Sequence, residues 1–149
     1  MATKYHYIDE NESKGLFYLN QIVKDGWTVT RTADYAKYDA TITKGDKEYH
    51  VENKTRYIDA RLANQGLLLD ANKVNEDVQY YCEFIPKMNA GFVITYDQIQ
   101  DGLKEGTIKK DTQKCALHMF EDPNYKVEKN NYLIPLELFK RFSLNCQDC

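Results

Sequence analysis

No stretch of this chain approaches the roughly 18 consecutive apolar residues that cross a bilayer as a helix. Its opening residues, MATKYHYIDENE, lack the apolar core of a secretion signal. Membrane insertion and export are therefore not expected, and a cytoplasmic protein is. Cysteine is sparse, with four residues in 149. In an intracellular chain these read as reduced thiols or metal ligands rather than disulfides. Basic charge is in deficit too: 20 Lys and Arg against 23 Asp and Glu leave a formal net charge of −3. That argues against a protein that coats nucleic acid through bulk positive charge, but not against an enzyme that meets phosphates through a metal ion and a few lysines. Repeats, low-complexity tracts and linkers are also lacking, so a single domain over 1–149 is expected, a size that buries a real core.

What is present is a succession of hydrophobic periods. Leu16, Leu19 and Val23, joined by Phe17 and Ile22, repeat at helical spacing until Asp25-Gly26. Asp9 or Asn11 can cap that helix, and Glu10 and Glu12 suit the positive end of its dipole. Trp27 to Thr32, Tyr38 to Thr43 and Lys47 to Thr55 then alternate like strands. Val74, Val78, Tyr81 and Ile85 return to helical spacing and Pro86 closes them, while Phe92 to Tyr96 reads as a strand buried on both faces. Further on, the pattern suggests a helix near Cys115 to Phe120, a strand at Tyr132 to Ile134 and a last helix around Leu136 to Phe142.

The second and third strands carry the chemistry. If Gly45-Asp46 is a two-residue type II′ hairpin turn, Ile42 faces Tyr49 and Ala40 faces Val51 on one side. Thr41 then faces His50 on the other side, Thr43 faces Glu48, and Asp39 lies opposite Glu52, with Lys54 two residues on from Glu52. Two carboxylates facing each other across a hairpin repel. A divalent cation between them turns repulsion into coordination, and oxygen ligands suit Mg²⁺ or Mn²⁺. A lysine beside such a metal completes a set suited to phosphodiester hydrolysis. Glu12 precedes Leu16, Leu19 and Val23 by 4, 7 and 11 residues, so it falls on the core-facing stripe of the first helix and needs a partner there. The simpler reading is a solvated polar strand face bearing a surface ion pair.

At this point the chain resembles the PD-(D/E)XK nuclease superfamily. The residues that carry the resemblance are Asp39 in KYDATI and Glu52-Asn53-Lys54 in HVENKTR, set in the order helix, three strands, helix, strand. Tyr38 stands where the namesake proline would be, and Asn53 is polar where the family often has an apolar residue. The resemblance implies an α/β fold with a restriction-endonuclease-like core over about 9–96. That core is a mixed four-stranded sheet flanked by helices, and a C-terminal α/β extension covers about 97–149. It implies Asp39, Glu52 and the Asn53 carbonyl as Mg²⁺ ligands, with Mn²⁺ able to substitute, and Lys54 as the residue that positions water and stabilises charge. Many members carry an acid on the first helix, matched here by Glu12, with Glu10 as the fallback.

The implied function is a metal-dependent endonuclease acting on nucleic acid, with DNA ahead of RNA. Small members of the superfamily occur as resolvases, restriction or repair enzymes, and mobile-element or phage nucleases. A homodimer is compatible with this reading, since cutting both strands of a duplex usually takes two sites, but no interface is legible in the sequence. The alternative is a non-catalytic module that keeps the fold to bind nucleic acid or protein, against which stands the filling of every functional position. His50 shares the face of Glu52 as a candidate ligand or phosphate contact, although a plain polar position explains it too. Arg56, Arg61 and Lys73 follow the motif strand as candidate phosphate contacts. Tyr57, Tyr80 and Tyr81 are candidates for stacking on bases, with core packing the better reading of Tyr81. Cys115-x-x-His118 and Cys146-x-x-Cys149 have structural-zinc spacing, but Cys149 is the last residue and free thiols are the preferred reading.

Overall fold

The computed structural model describes residues 14–32, 38–116 and 126–145, following 112–116 and 126–129 by backbone alone. Residues 14–22 are helical and form α1. Tyr18 and Leu19 are buried, with Leu16, Ile22 and Val23 packed against the same cluster. Phe17, expected on that stripe, is 59% exposed. It lies two positions before Leu19, which on a helix is the far side.

Strands β1 (Thr28–Arg31), β2 (Ala40–Lys44) and β3 (Lys47–Thr55) form an antiparallel meander. The β2–β3 register is the expected one, with Ala40 opposite Val51, Thr41 opposite His50, Ile42 opposite Tyr49 and Thr43 opposite Glu48. Gly45 takes a φ of 59° and Asp46 does not go positive, a combination compatible with a type II′ turn and not with type I′. A four-residue helix, α2 (Ala60–Ala63), capped by Asp59, leads to β4 (Leu67–Asp70) and a 3-10 turn (Ala71–Lys73).

The segment expected to be the second long helix is instead β5 (Tyr80–Ile85), parallel to β3 and antiparallel to β6 (Ala90–Thr95). Tyr81 and Ile85, four residues apart, suit one face of a helix. That spacing also puts two residues on one face of a strand. The intervening Cys82 and Phe84 are buried as well, which a central strand permits and a one-sided helix does not. Helix α3 (Tyr96–Glu105) is absent from the sequence expectation, although Thr95 and Gln98 form a full capping box at its start and Gly106 closes it at φ 81°.

Strands β7 (Lys109–Ala116) and β8 (Lys126–Ile134) follow, and β8 contains the expected strand at Tyr132 to Ile134. Cys115 and Ala116 are therefore strand, and the rest of the helix expected near Cys115 to Phe120 lies outside the described residues. In place of a last helix there is a 3-10 turn (Leu136–Leu138) and an edge strand, β9 (Lys140–Ser143), paired with β6. Pairing with the open edge of β6 satisfies backbone groups that a terminal helix would have left bare.

The result is a mixed α/β fold with a six-stranded sheet ordered β1-β2-β3-β5-β6-β9, rather than four strands, and a separate three-stranded sheet ordered β4-β8-β7. One core lies between α1 and the sheet face bearing Ala40, Val51, Cys82 and Phe84. The other joins the opposite face, at Tyr81, Ile85, Phe92 and Ile94, to Leu67, Leu69 and Ile134 of the smaller sheet and Ile99 of α3. Among the described residues, no helix is long and apolar enough to cross a membrane.

Candidate metal and catalytic site

Alternation along β3 sends Val51 into the α1 core and Glu52 and Lys54 to the other face. Parallel pairing puts Tyr81 beside Glu52 and Glu83 beside Lys54. Asp39 comes to the same place by leaving the ladder just before β2. Its N–H donates to the Val51 carbonyl at 3.0 Å, and its carbonyl accepts from Thr32 N–H at 3.2 Å. Its Oδ2 accepts the Asn53 N–H at 2.9 Å. Asp39 is thus not the simple cross-strand partner of Glu52 that an unbroken register implies. Its carboxylate replaces a strand carbonyl as acceptor for Asn53, which fixes it against β3 next to Glu52.

Glu52 is buried, with 9% of its side chain exposed, and its bonded counter-ion is Lys73, with Nζ 3.3 Å from Oε1. Burial first, and then the negative charge of Asp39, push the Glu52 carboxyl up to about 7 despite the pull of Lys73. Burial acts to lower the Lys73 ammonium, but the carboxylates of Glu52, Asp39 and Asp70 together carry it upward, Glu52 contributing most among them. Lys73 is thus bonded to Glu52 at ion-pair distance while Asp39 sets a second negative charge beside it, so two carboxylates and one ammonium meet here. Asp39, Glu52, Asn53, Lys54 and Lys73 line one cavity of about 320 Å³, together with Arg31 of β1. A neighbouring cavity of about 580 Å³ shares Asp39, Glu52 and Lys73.

The other sequence candidates are placed differently. Arg56 turns inward: Nε donates to Glu83 Oε2 at 3.1 Å and Nη2 to Oε1 at 3.2 Å, with a further bond to the Leu68 carbonyl. Arg61 is exposed on α2 and lines neither cavity. The ring of His50 stacks on Tyr38 at 3.9 Å, and its Nδ1 lies 2.8 Å from the Asp77 carbonyl. A carbonyl only accepts, so Nδ1 carries a proton there and donates it. Tyr81 is in the core, as preferred, and Tyr57 stands half exposed on the rim of the smaller cavity. Glu12, the fallback Glu10, His118, Cys146 and Cys149 lie outside the described residues, as does the side chain of Cys115. Among the described residues, no group of three or more His, Cys, Asp and Glu side chains is placed to hold a metal ion.

Two charged residues near the site escape a reading of the sequence. Glu83 is hidden by the helical spacing of β5. Its signal is an acid inside the apolar run YYCEFI, which demands a buried partner. Arg31, at the end of β1, gives no signal beyond its charge. Lys73 reads from the sequence only as a phosphate contact, because its approach to Glu52 depends on where the chain returns after β4.

No family model matches the chain, and no curated protein matches it. Among solved structures, D212, a nuclease from a fusselovirus, is similar over 91% of this chain and 80% of its own, with 16% identical residues and a TM-score of 0.49. So loose a likeness assigns no chemistry, which rests on the side chains above.

Proposed function

We propose that this chain is a divalent-metal-dependent nuclease that hydrolyses phosphodiester bonds, with DNA as substrate and internal cleavage as its mode. The observation that carries the reading is Glu52. A buried carboxylate beside a second carboxylate, raised to about 7 and bridged to a half-exposed lysine, is the arrangement a divalent cation would relieve.

The donor set fits such an ion. Asp39 and Glu52 offer hard oxygen ligands on one sheet face, and the Asn53 carbonyl follows directly on β3. These residues would hold the ion, with Glu12 as a further sequence-based candidate. When bound, Mg²⁺ or Mn²⁺ supplies Lewis-acid stabilisation of the phosphoryl group and a more acidic water. The chain's own residues do the rest. Asp39 is kept in place by the Asn53 N–H, so its ligand oxygen needs no reorganisation when the ion arrives. Lys54 Nζ extends from the same strand face as Glu52, where it orients the attacking water by hydrogen bonding and offsets charge that develops on the phosphate. The packing of Val51, Cys82 and Phe84 against Tyr18 and Leu19, on the far face of β3 and β5, keeps the rear of the site dry, which strengthens each of these interactions.

The test is incubation with plasmid, single-stranded and branched DNA, and with RNA, in Mg²⁺, in Mn²⁺ or in EDTA. Metal-dependent cleavage of DNA that disappears in EDTA and in Glu52→Gln is the expected result. Binding of these substrates without cleavage in any metal would sink the proposal and favour a module that only binds.

A further inference from the structure

We propose that Lys73 is the exchangeable counter-ion of this site: its ammonium holds Glu52 while no metal is bound, and a divalent cation displaces it to grip a phosphate of the nucleic-acid substrate. The inference rests on the metal-dependent reading above and adds a role for one residue within it.

The contact itself is unequal. Glu52 keeps 9% of its side chain exposed, whereas Lys73 keeps 58%, and a single bond of 3.3 Å joins them. The acid cannot leave, but the lysine can swing into solvent without vacating the core. Its backbone, by contrast, is held on both sides. Asp70 Oδ1 accepts the Asn72 N–H at 3.0 Å. Beyond it, the buried Tyr81 hydroxyl accepts the Asn75 N–H at 3.0 Å and donates to the Asn75 carbonyl at 3.1 Å. Movement is thereby confined to the flexible four-carbon stem of one side chain.

Position supplies the second half of the argument. Lys73 lines both cavities that meet at Asp39 and Glu52, so its head group stands where the two adjoin. A dication bound by the two carboxylates and an ammonium bonded to one of them repel each other. The ammonium, once released, remains tethered at the site's edge. A compact charge with three donors there suits a phosphate oxygen next to the one being attacked. Lys54 is not interchangeable with it, since Lys54 projects from the central strand β3 and Lys73 from a surface turn.

The experiment measures two affinities of opposite expected response on the wild type, Lys73→Met and Lys73→Arg. Mn²⁺ alone is titrated by calorimetry in low salt without substrate. A labelled oligonucleotide is titrated in Ca²⁺ across a salt series. Lys73→Met is expected to bind Mn²⁺ about two- to fivefold more tightly, the worth of a half-exposed ion pair. It is expected to bind the oligonucleotide more weakly, with the slope of log affinity against log salt reduced by about one, while Lys73→Arg keeps the slope. A purely structural lysine would not move the two affinities in opposite directions. Unchanged or weaker Mn²⁺ binding by Lys73→Met, with normal binding by the wild type, overturns the displacement. An unchanged salt slope overturns the hand-over to phosphate. Absence of Mn²⁺ binding by the wild type overturns the metal reading itself, a different result from either.

Discussion

Glu52 and Glu83 lie on adjacent parallel strands, project from the same face of the sheet and are both buried, yet their surroundings differ in kind. Glu83 meets the Arg56 guanidinium through two bonds of 3.1 and 3.2 Å, and Arg56 also satisfies the Leu68 carbonyl of β4. Burial pushes the Glu83 carboxyl up, and the facing guanidinium pulls it back. That fork ties the large sheet to the small one. Glu52 has a like charge beside it, a single bond to a half-exposed lysine, and a cavity in front of it. A buried acid that is fully paired serves the fold. One left under-compensated beside a cavity costs stability, and that cost makes sense where a ligand is to be bound.

The sharpest way to separate the two acids is catalysis. Glu52→Gln and Lys54→Ala are expected to lower the single-turnover cleavage rate by several orders of magnitude while the circular dichroism spectrum stays that of the folded chain. Cleavage by Lys54→Ala at the wild-type rate would remove Lys54 from the chemistry. Stability should respond in the opposite way. Arg56→Met strands Glu83 in the core and is expected to cost about 3–5 kcal/mol by urea unfolding. The double variant Arg56→Met, Glu83→Gln should recover part of it. A loss below about 1 kcal/mol for Arg56→Met would show that the fork is no more than a surface pair.

The pH dependence of the metal-free protein comes next in size. Glu52 has a folded-state value of about 7 against its usual 4.5, so between those limits the folded chain binds more protons than the unfolded one. Stability contributed by this group is therefore full below about 4.5 and lost as pH rises through 7, by on the order of 3 kcal/mol. Glu52→Gln should flatten that fall. A wild-type melting temperature that rises steadily over the same range, unaltered by the substitution, would contradict the buried, repelled carboxylate. The smallest effect is that of added metal. At 100 times its dissociation constant, Mn²⁺ should stabilise the fold by about 2.7 kcal/mol through mass action. Asp39→Ala should cancel that gain, and the Arg56–Glu83 fork should be indifferent to the ion. An equal metal response in Asp39→Ala would place the binding elsewhere.

Much of the hairpin is legible in the amino-acid order. Thr41, Ile42, Tyr49, His50 and Val51 take the faces that a two-residue turn at Gly45-Asp46 assigns them, because period-two alternation and turn geometry are local properties. The convergence of Asp39, Glu52 and Lys54 follows from the same register, although Asp39 arrives by a side-chain bond to Asn53 rather than by strand pairing. The helix α1 is legible from Leu16, Leu19 and Val23 for the same local reason. Legibility fails where one pattern serves two structures. Tyr81 and Ile85 suit a helix face and a strand face equally, so the spacing conceals β5, and Glu83 with it.

What the sequence alone determined is therefore the β2–β3 hairpin and the side chains it gathers, since each residue there answers to neighbours within a few positions. The tertiary structure alone decided the parallel seating of β5 against β3, the fork between Arg56 and Glu83, and the return of Lys73 to Glu52. Those contacts join residues 21 and 27 positions apart. No local propensity encodes such closures. They follow from burying both faces of β5, which pulls its acid in beside β3, where Arg56 can meet it.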